Sequence, residues 1–336
     1  MTLALCEESH ETSPPSPSPF HLISSSPYLL YPSYLPNTIG GAHHTSPPPP
    51  PPAQAEAEIR TALERAIANY REDIVAFLIF DPRIRKIQFD ATGQWAVVWL
   101  DLYDPATGEL IPTEPGLVVA HHDGQQWQIL LQADPAWAET LASVPPDLMP
   151  EANKAIWLAR YDQALLEAPT SALGGYLLPW AEGLTKILTR SIAHGGTGYY
   201  AFDFADGTMF PLYASKGGTV HLVEWTYPNG YDDGSCANSN YIILKDETTS
   251  PVTYQLYLHL AFESVPEDLR VVGAPVVQGQ FIGNADDTGC STGHHLHFHV
   301  HTNPFSYWGT ALDITFDDVN INGGRPRTPS EANSPD

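Results

Sequence analysis

The chain has 336 residues, which is more than one small domain usually contains. Its 39 acidic and 15 basic residues give a net charge of −24, so its surface would on average repel DNA, RNA and anionic lipid, and no nucleic-acid partner is expected. Hydrophobic residues make up 43% of the chain and charged residues only 16%, with 32 prolines, so both folded and non-globular segments are expected.

Residues 1–56 are predicted to form a disordered leader. They are rich in Pro and Ser and contain the unbroken run Pro47 to Pro52, a composition that favours extended conformations and buries little apolar surface. No basic residue precedes Arg60, so there is no clear signal peptide, and Cys6 is interpreted as an unpaired cysteine. No apolar run approaches the ~18 residues that cross a bilayer, so no transmembrane segment is expected.

Residues 57–170 are predicted to form a small α+β domain of unknown role. Apolar residues recur at three- and four-residue steps from Ala57 to Phe80, which predicts an amphipathic helix that ends at Asp81-Pro82. A second helix is predicted over Pro150 to Leu166. Between the helices, four short β-branched or aromatic runs predict an antiparallel meander: Ile84 to Phe89, Trp95 to Leu102, Leu117 to Ala120 and Trp127 to Leu131. No group of metal ligands or nucleophiles is expected in this region.

Residues 176–321 are predicted to form a second domain that is all-β. After Gly175 the helical periodicity disappears and short strands alternate with many turns. Residues 322–336 return to a disorder-prone composition and are predicted to be a disordered tail. The expected fold is therefore an α+β N-terminal domain followed by an all-β C-terminal domain built on antiparallel sheet.

The most informative segment is a strand of alternating histidines. His295, His297, His299 and His301 alternate with Leu296, Phe298 and Val300. Because successive side chains of a strand point to opposite faces, the four imidazoles share one face and the apolar residues share the other. Neutral imidazole is a good zinc ligand, so the histidine face is a candidate metal site. Alternating polar residues also occur on ordinary exposed strands, and the pattern alone leaves both interpretations open.

Three segments together resemble a known family. SIAHGGTGYYAFDFADGTMFPLYASKGGTV (residues 191–220), YQLYLHL (254–260) and VVGAPVVQGQFIGNADDTGCSTGHHLHFHV (271–300) look like the successive motifs of the M23 zinc metallopeptidases, the lysostaphin-like or LytM-type enzymes that cut peptidoglycan peptides. The resemblance covers about residues 176 to 315 and implies a lysostaphin-like peptidase fold. Residues 1–175 lie outside it.

The resemblance implies a site for one Zn²⁺ per chain. Carried over from the family, the metal ligands are His194, Asp203 and His297, and the catalytic residues are His295 and His259. Three protein ligands leave one tetrahedral position for water, as in catalytic zinc sites. His295 would orient or deprotonate that water, and His259 would stabilise the oxyanion or protonate the leaving amine, although the two roles can be exchanged.

The sequence departs from the family pattern at two positions. The commonest motif places the first ligand four residues before the Asp, where this chain has Tyr199, so His194 must reach the metal across a longer glycine-rich loop. Relatives usually carry Glu after HLHF, where this chain has His299. His299 is expected either to contact a metal ligand from behind or to be an exposed histidine without a role.

Two further features have competing interpretations. The segment around Ser291 matches G-x-S-x-G, the serine nucleophile elbow, but an elbow needs a helix after the Ser and a strand is predicted here. Ser291 is therefore expected to shape a turn. Cys236 and Cys290 lie in loops where several relatives also have cysteines, and a disulfide is favoured over a role as metal ligands.

Two hypotheses for function follow from the resemblance. The first is a zinc endopeptidase acting on peptidoglycan cross-links or stem peptides, and the alternative is an inactive M23-like scaffold that regulates other wall hydrolases. Retention of all the ligand and catalytic positions favours the enzyme. A disulfide implies an extracellular or cell-envelope location. Residues 57–170 would be an inhibitory propiece, a wall-targeting module or a spacer. The sequence indicates neither the bond that is cut nor the oligomeric state.

Overall fold

The computed structural model describes residues 52–71, 74–160, 171–189, 194, 196–320, 322–326 and 332–333. These residues belong to one compact unit. The predicted leader therefore lies outside the described residues, except for Pro52 to Glu56. Within the part of the chain that is described, no helix is both long and apolar enough to cross a membrane.

Among the described residues of the N-terminal half there are four α-helices, and they differ from the two predicted ones. The first predicted helix is divided into α1 and α2. The second piece ends at Ile79, just before Asp81-Pro82 as predicted, and residues 81 and 82 begin a strand. α3 was not predicted, and residues 161–166 of the second predicted helix lie outside the described residues. The helices are α1 (Pro52–Asn69), α2 (Val75–Ile79), α3 (Trp137–Ser143) and α4 (Glu151–Arg160).

α1 begins earlier than expected, at Pro52. Proline is tolerated in the first turn of a helix because the N–H group that it lacks has no intrahelical partner there. Ala55, Ile59 and Leu63, spaced by four residues, are buried and belong to the apolar cluster that joins α1 to the first sheet. The helix is therefore held by one apolar face, as its periodicity predicted.

The first sheet is an antiparallel meander of four strands in the order β1-β2-β3-β4, as predicted. Its second strand is buried on both faces. Val98 and Leu100 pack in the α1 cluster, whereas Val97 and Trp99 pack with residues of α3 and α4. The strands are β1 (Asp81–Phe89), β2 (Trp95–Tyr103), β3 (Gly116–His122) and β4 (Trp127–Leu130).

The second sheet has eight strands in the order β12-β9-β10-β11-β14-β7-β6-β16, and all its neighbouring strands are antiparallel. Its strands are β6 (Lys186–Leu188), β7 (Phe202–Ala205), β9 (Gly218–Glu224), β10 (Tyr241–Asp246), β11 (Thr253–Leu258), β12 (Pro275–Val276), β14 (Leu296–His301) and β16 (Ala332–Asn333). The remaining strands form two pairs, antiparallel β8 (Phe210–Tyr213) with β13 (Phe281–Ala285) and parallel β5 (Leu173–Tyr176) with β15 (Ile314–Phe316). The expectation of a mostly antiparallel β structure is confirmed.

The predicted disordered tail contains ordered contacts. Ala332 and Asn333 pair with β6, and the guanidinium of Arg325 lies 2.5 Å from the carboxylate of Asp313. A strand pair is held by backbone hydrogen bonds, which both of these non-proline residues can make, so the polar composition of the segment does not prevent it. Residues 327–331 and 334–336 lie outside the described residues.

The central strand β14 separates the core from the histidine face. Leu296, Phe298 and Val300 are fully buried in the main apolar cluster of the eight-stranded sheet. The histidines that alternate with them are directed to the opposite face, and the rings of His297 and His299 have centroids 5.1 Å apart. The predicted alternation is therefore present, with the apolar side anchoring the strand.

Candidate metal centre

Three neighbouring strands bring the predicted site residues together. On β14, His297 is paired directly with Asp203 of β7 on one side and with Leu258 of β11 on the other. His259 follows Leu258 with a φ of 65°, a left-handed conformation that turns the chain at the strand end. His295 comes just before β14, where it bridges to Asp286.

The three predicted metal ligands converge on one point. Nε2 of His194 and Nδ1 of His297 each lie 3.1 Å from Oδ1 of Asp203. All three side chains are almost completely buried, with His194 exposed by 2%. Tyr199, at the position of the commoner family motif, is 59% exposed. The longer connection therefore does bring His194 to the site.

The donor set fits a zinc ion. Zinc binds imidazole nitrogen and carboxylate oxygen at about 2.0–2.1 Å, so two donors of a tetrahedral site lie about 3.3 Å apart. The 3.1 Å separations of His194 and His297 from Asp203 are close to that value. Two imidazoles and a carboxylate are also the donor types that zinc prefers.

The other two histidines stand beside the ligands with fixed ring orientations. Nδ1 of His259 lies 2.7 Å from the carbonyl of Thr288, and Nδ1 of His295 lies 2.9 Å from the carbonyl of Gly293. Because a carbonyl only accepts, each Nδ1 carries the proton and each Nε2 is left with a free lone pair. The ring centroids are 4.5 Å apart, and Nε2 of His295 has no hydrogen-bond partner among the described residues.

Glu114 is a site residue that the sequence analysis missed, and it corrects the expectation that residues 57–170 contribute nothing to a site. It lies in the connection from β2 to β3 and is 4% exposed. Its Oε1 is 2.5 Å from Nδ1 of His297 and 3.7 Å from Nε2 of His259, and its Oε2 is 3.3 Å from Nε2 of His194. Together with His194, Asp203 and His297 it forms a four-residue group able to hold a metal ion.

Electrostatic coupling keeps the carboxylates ionised. Burial alone would raise the pKa of Glu114, but the charge of His297 and contacts with neighbouring imidazoles hold it well below its ordinary value. Burial and the charge of Glu114 would likewise raise the pKa of Asp203, but the neighbouring imidazoles, chiefly His194, outweigh them and lower it. Burial lowers the pKa of His194, but the carboxylates of Asp203 and Glu114 raise it by more, so the net change is an increase. Two buried carboxylates thus need two positive charges nearby, which either two imidazolium protons or one divalent cation supplies.

His295 and His299 are kept neutral by the same burial. Desolvation, reinforced by the neighbouring His259, lowers the pKa of His295 to about 4. Desolvation, reinforced by His297, lowers the pKa of His299 well below its usual range. His299 is fully buried, and its Nδ1 lies 2.8 Å from Nε2 of His297. It therefore contacts a proposed ligand through the ring nitrogen that does not face Asp203. The alternative of an exposed histidine is therefore wrong.

The structure also shows the surroundings of Ser291, Cys236 and Cys290. Leu296–His301 after Ser291 is a strand and not a helix, and the Ser291 hydroxyl donates to the carbonyl of Gly293 within the turn. Cys236 and Cys290 are joined by a disulfide with their Cα atoms 4.6 Å apart. The disulfide packs in the apolar cluster that includes Trp99 of β2.

Comparison with known proteins supports the resemblance. The sequence model of peptidase family M23 matches residues 197–307. The chain is 34% identical over 112 residues to the glycyl-glycine endopeptidase ALE-1 of Staphylococcus capitis, a match that covers 33% of this chain and 26% of that protein. The chain thus spans about a quarter of the length of that curated relative.

Two solved structures illustrate the structural comparison. One is the catalytic domain of the antimicrobial peptidase lysostaphin from Staphylococcus simulans, 30% identical, with 45% of this chain and 92% of that chain covered and a TM-score of 0.26. Another is the catalytic domain of a variant of the prophage-encoded M23 protein EnpA from Enterococcus faecalis, 20% identical, with 43% and 85% covered and a TM-score of 0.25. The sequence match is what identifies residues 197–307 of this chain as a member of peptidase family M23.

Proposed function

We propose that the chain is a zinc-dependent endopeptidase that hydrolyses peptide bonds of peptidoglycan, in cross-links or in stem peptides. The observation that carries the proposal is the convergence of His194, Asp203 and His297 on one point. His259 and His295 stand directly beside that point with their Nε2 lone pairs free. A structural zinc site needs no such additional pair, whereas hydrolysis of an amide needs groups that move protons.

In this proposal His194, Asp203 and His297 hold one zinc ion per chain. When bound, the ion supplies Lewis acidity, which polarises a carbonyl and makes water acidic enough to attack near neutral pH. The hydrogen bond between His297 and His299 fixes the ring of His297 with Nδ1 directed towards Asp203.

His295 and His259 supply the proton transfers. His295 is neutral at pH 7 because its pKa is lowered to about 4, so its Nε2 can accept a proton from the attacking water. His259 presents Nε2 on the neighbouring side and can stabilise the negative oxygen of the substrate once protonated, or deliver a proton to the leaving amine. Since both rings are anchored through Nδ1 to backbone carbonyls, the two roles can be exchanged between them.

The relatives support the proposed substrate class. The curated relative is named a glycyl-glycine endopeptidase, and it supports a glycine-rich peptide as the first substrate to test. The disulfide between Cys236 and Cys290 supports an extracellular or cell-envelope site of action, because reducing compartments keep most cysteines unpaired. Peptidoglycan is also located in the cell envelope, so the proposed substrate and the proposed site of action agree.

We also propose that residues 57–170 and 176–321 are separate domains, one α+β and the other all-β. The first has a sheet of four strands, and the second contains seven of the eight strands of the other sheet, the eighth being β16. Each also has its own apolar cluster, around Ile59 in the first and Phe298 in the second. The aromatic cluster that includes Trp99 and the disulfide joins the two parts.

The proposal is tested on the purified full-length chain. We expect about one zinc per chain and cleavage of peptidoglycan or of a glycine-rich peptide, lost on treatment with a chelator and restored by zinc. His297→Ala, which removes a ligand, is the inactive reference. If the chain holds zinc tightly but cleaves none of a panel of walls with different cross-bridges, the scaffold hypothesis replaces the enzyme.

A further inference from the structure

Asp286, Asp287 and His294, hereafter the loop cluster, lie close together outside the candidate metal centre. The two aspartates directly follow β13 and His294 comes just before β14, so the cluster joins both ends of one connection. One ligand atom from each residue, a carboxylate oxygen or an imidazole nitrogen, lies within 4.8 Å of the other two. The cluster shares no residue with the group that contains Asp203.

The carboxylate of Asp286 is buried without a hydrogen bond. Its side chain is 0% exposed, and neither of its oxygens has a hydrogen-bond partner among the described residues. Nδ1 of His294 lies 2.5 Å from Oδ1 of Asp286, but that nitrogen also lacks a hydrogen-bond partner there. A buried carboxylate needs a compensating charge, and either a proton on His294 or a metal ion shared by the two side chains can supply it.

Asp287 brings a second negative charge to the same place. Its Oδ1 accepts a hydrogen bond from the N–H of Gly230 at 2.8 Å, which fixes the carboxylate. Burial, and next the charge of Asp287, raise the pKa of Asp286, and the contact with His294 offsets only part of this rise. One imidazolium would leave a net negative charge on the three groups, whereas a divalent cation bound by a neutral imidazole balances both carboxylates.

The backbone holds Asp286 in place as a donor, and the loop cluster has one open side. The N–H of Asp286 donates to the carbonyl of His259 at 2.7 Å, and the N–H of His295 donates to the carbonyl of Asp286 at 3.0 Å. The side chain of His294 is 38% exposed, so an ion can enter from solvent and keep water ligands. The three donors are thus positioned before any ion binds.

We propose that Asp286, Asp287 and His294 form a second metal site, which takes a divalent transition-metal ion with water completing its coordination. Carboxylate and water oxygens suit Mn²⁺ and imidazole suits the later transition metals, whereas Ca²⁺ and Mg²⁺ take oxygen ligands. Because one side is open, this ion exchanges with solvent and is removed by dialysis, while the zinc of the buried centre is retained. The site does not depend on the proposed function.

The test titrates the zinc-loaded full chain with Mn²⁺. Mn²⁺ stands below Zn²⁺ in the general order of affinities, so it does not displace zinc from the centre. Electron paramagnetic resonance distinguishes bound from free Mn²⁺, and coupling to a nitrogen shows whether an imidazole is a ligand. Asp286→Asn and His294→Ala each remove one donor. Asp268→Asn, at an exposed position, removes the same charge as Asp286→Asn and is the matched control.

We expect the wild type and Asp268→Asn to bind about one Mn²⁺ with nitrogen coupling, and to unfold at a higher temperature when Mn²⁺ is present. Asp286→Asn and His294→Ala should bind it at least about tenfold more weakly and lose the thermal shift. His294→Ala changes a partly exposed side chain, so it keeps the test decisive if Asp286→Asn does not fold.

Three results would each overturn the second site. Absence of Mn²⁺ binding in the wild type would show that Asp286 and His294 are an ion pair and nothing more. Equal affinity in the wild type and His294→Ala would place the ion elsewhere, and equal weakening in Asp268→Asn would reduce the binding to attraction by the acidic surface. A chain that retains no zinc would overturn the proposed function, while loss of Mn²⁺ binding in His294→Ala would still support the second site.

Discussion

Nε2 of His297 and Nδ1 of His299 lie 2.8 Å apart on the same face of β14. Because Nδ1 of His297 faces Asp203, a metal bound there leaves the ring proton on Nε2, which then donates to Nδ1 of His299. A hydrogen bond behind a ligand fixes its tautomer and ring orientation and commonly contributes 10–100-fold in metal affinity. In this arrangement the acceptor is His299, the residue that departs from the family pattern.

The first prediction concerns this acceptor. His299→Ala should weaken zinc binding about 10–100-fold, because Nε2 of His297 loses its partner. His299→Glu should retain most of the affinity, because its carboxylate can accept the same hydrogen bond. Zinc affinity measured by chelator competition, alongside thermal unfolding, tests both. Equal weakening in the Ala and Glu variants would mean that His299 only fills space.

The second prediction concerns the ligands themselves. His297→Ala should abolish stoichiometric zinc, since the group able to hold the metal consists, among the described residues, of the three ligands and Glu114. His295→Ala, which changes a buried histidine two residues away, serves as the control and should keep about one zinc per chain. Elemental analysis of both dialysed proteins decides the matter. Full zinc content in His297→Ala would refute the assignment of this ligand.

The third prediction separates proton transfer from metal binding. His295→Ala and His259→Asn should each lower the rate of peptide cleavage about 100-fold or more while the zinc content stays near one per chain. Asn is chosen for His259 because the position has a φ of 65°, which Asn tolerates better than Ala. Wild-type cleavage by either variant would show that its imidazole merely lines the groove.

Local patterns in the sequence predicted the strands well. The β-branched and aromatic run in β2 and the alternation in β14 placed both strands within one residue of their observed ends. In β14 the pattern is clear because a period of two is set by the strand itself. The helical periodicity before β1 did not show that α1 ends at Asn69. The seven-residue α3, with only Trp137 and Leu141 buried, is too short to produce a clear period.

The contribution of Glu114 could not have been predicted in the same way. Its environment depends on how the connection between β2 and β3 packs against β14 and β7, which are distant in sequence. A single Glu between two prolines and near a glycine resembles an ordinary turn residue. By contrast, His194 was found through its motif, because the residues that follow it carry the family pattern.

The fourth prediction concerns the disulfide between Cys236 and Cys290, which spans 54 residues. Closing a loop of that length stabilises the folded state by about 4 kcal/mol in the chain-entropy model. The double variant Cys236→Ala/Cys290→Ala should lose up to that amount in the free energy of unfolding, measured in urea, while Cys6→Ala should be neutral. Mass spectrometry of unreduced digests should find the Cys236–Cys290 pair. Two free thiols in protein made in an oxidising compartment would contradict it and weaken the case for an extracytoplasmic location.

The fifth prediction is a pH dependence of stability away from the metal centre, at Asp246. Its carboxylate is 2% exposed, accepts hydrogen bonds from Thr248 at 2.8 Å and 2.5 Å, and lies 2.9 Å from Nζ of Lys216. Burial alone would raise the pKa of Asp246, but the bonds from Thr248 and the contact with Lys216 outweigh burial and lower it. The folded state therefore binds the proton less tightly than the unfolded state does.

This difference fixes the sign of the effect. The contribution of Asp246 to the free energy of unfolding is complete above the ordinary carboxyl pKa of about 4 and is lost as the pH falls through the lowered folded value. Asp246→Asn should thus cost about 2 kcal/mol at pH 7, the scale of hydrogen bonds to a charged group, and progressively less below pH of about 4. Glu247→Gln, the exposed neighbour paired with Lys245, should change stability little at any pH. Urea unfolding of the wild type and of both variants at a series of pH values tests this. If the loss of unfolding free energy in Asp246→Asn stayed constant down to pH of about 2, the charge of the carboxylate would not be what stabilises this part of the sheet.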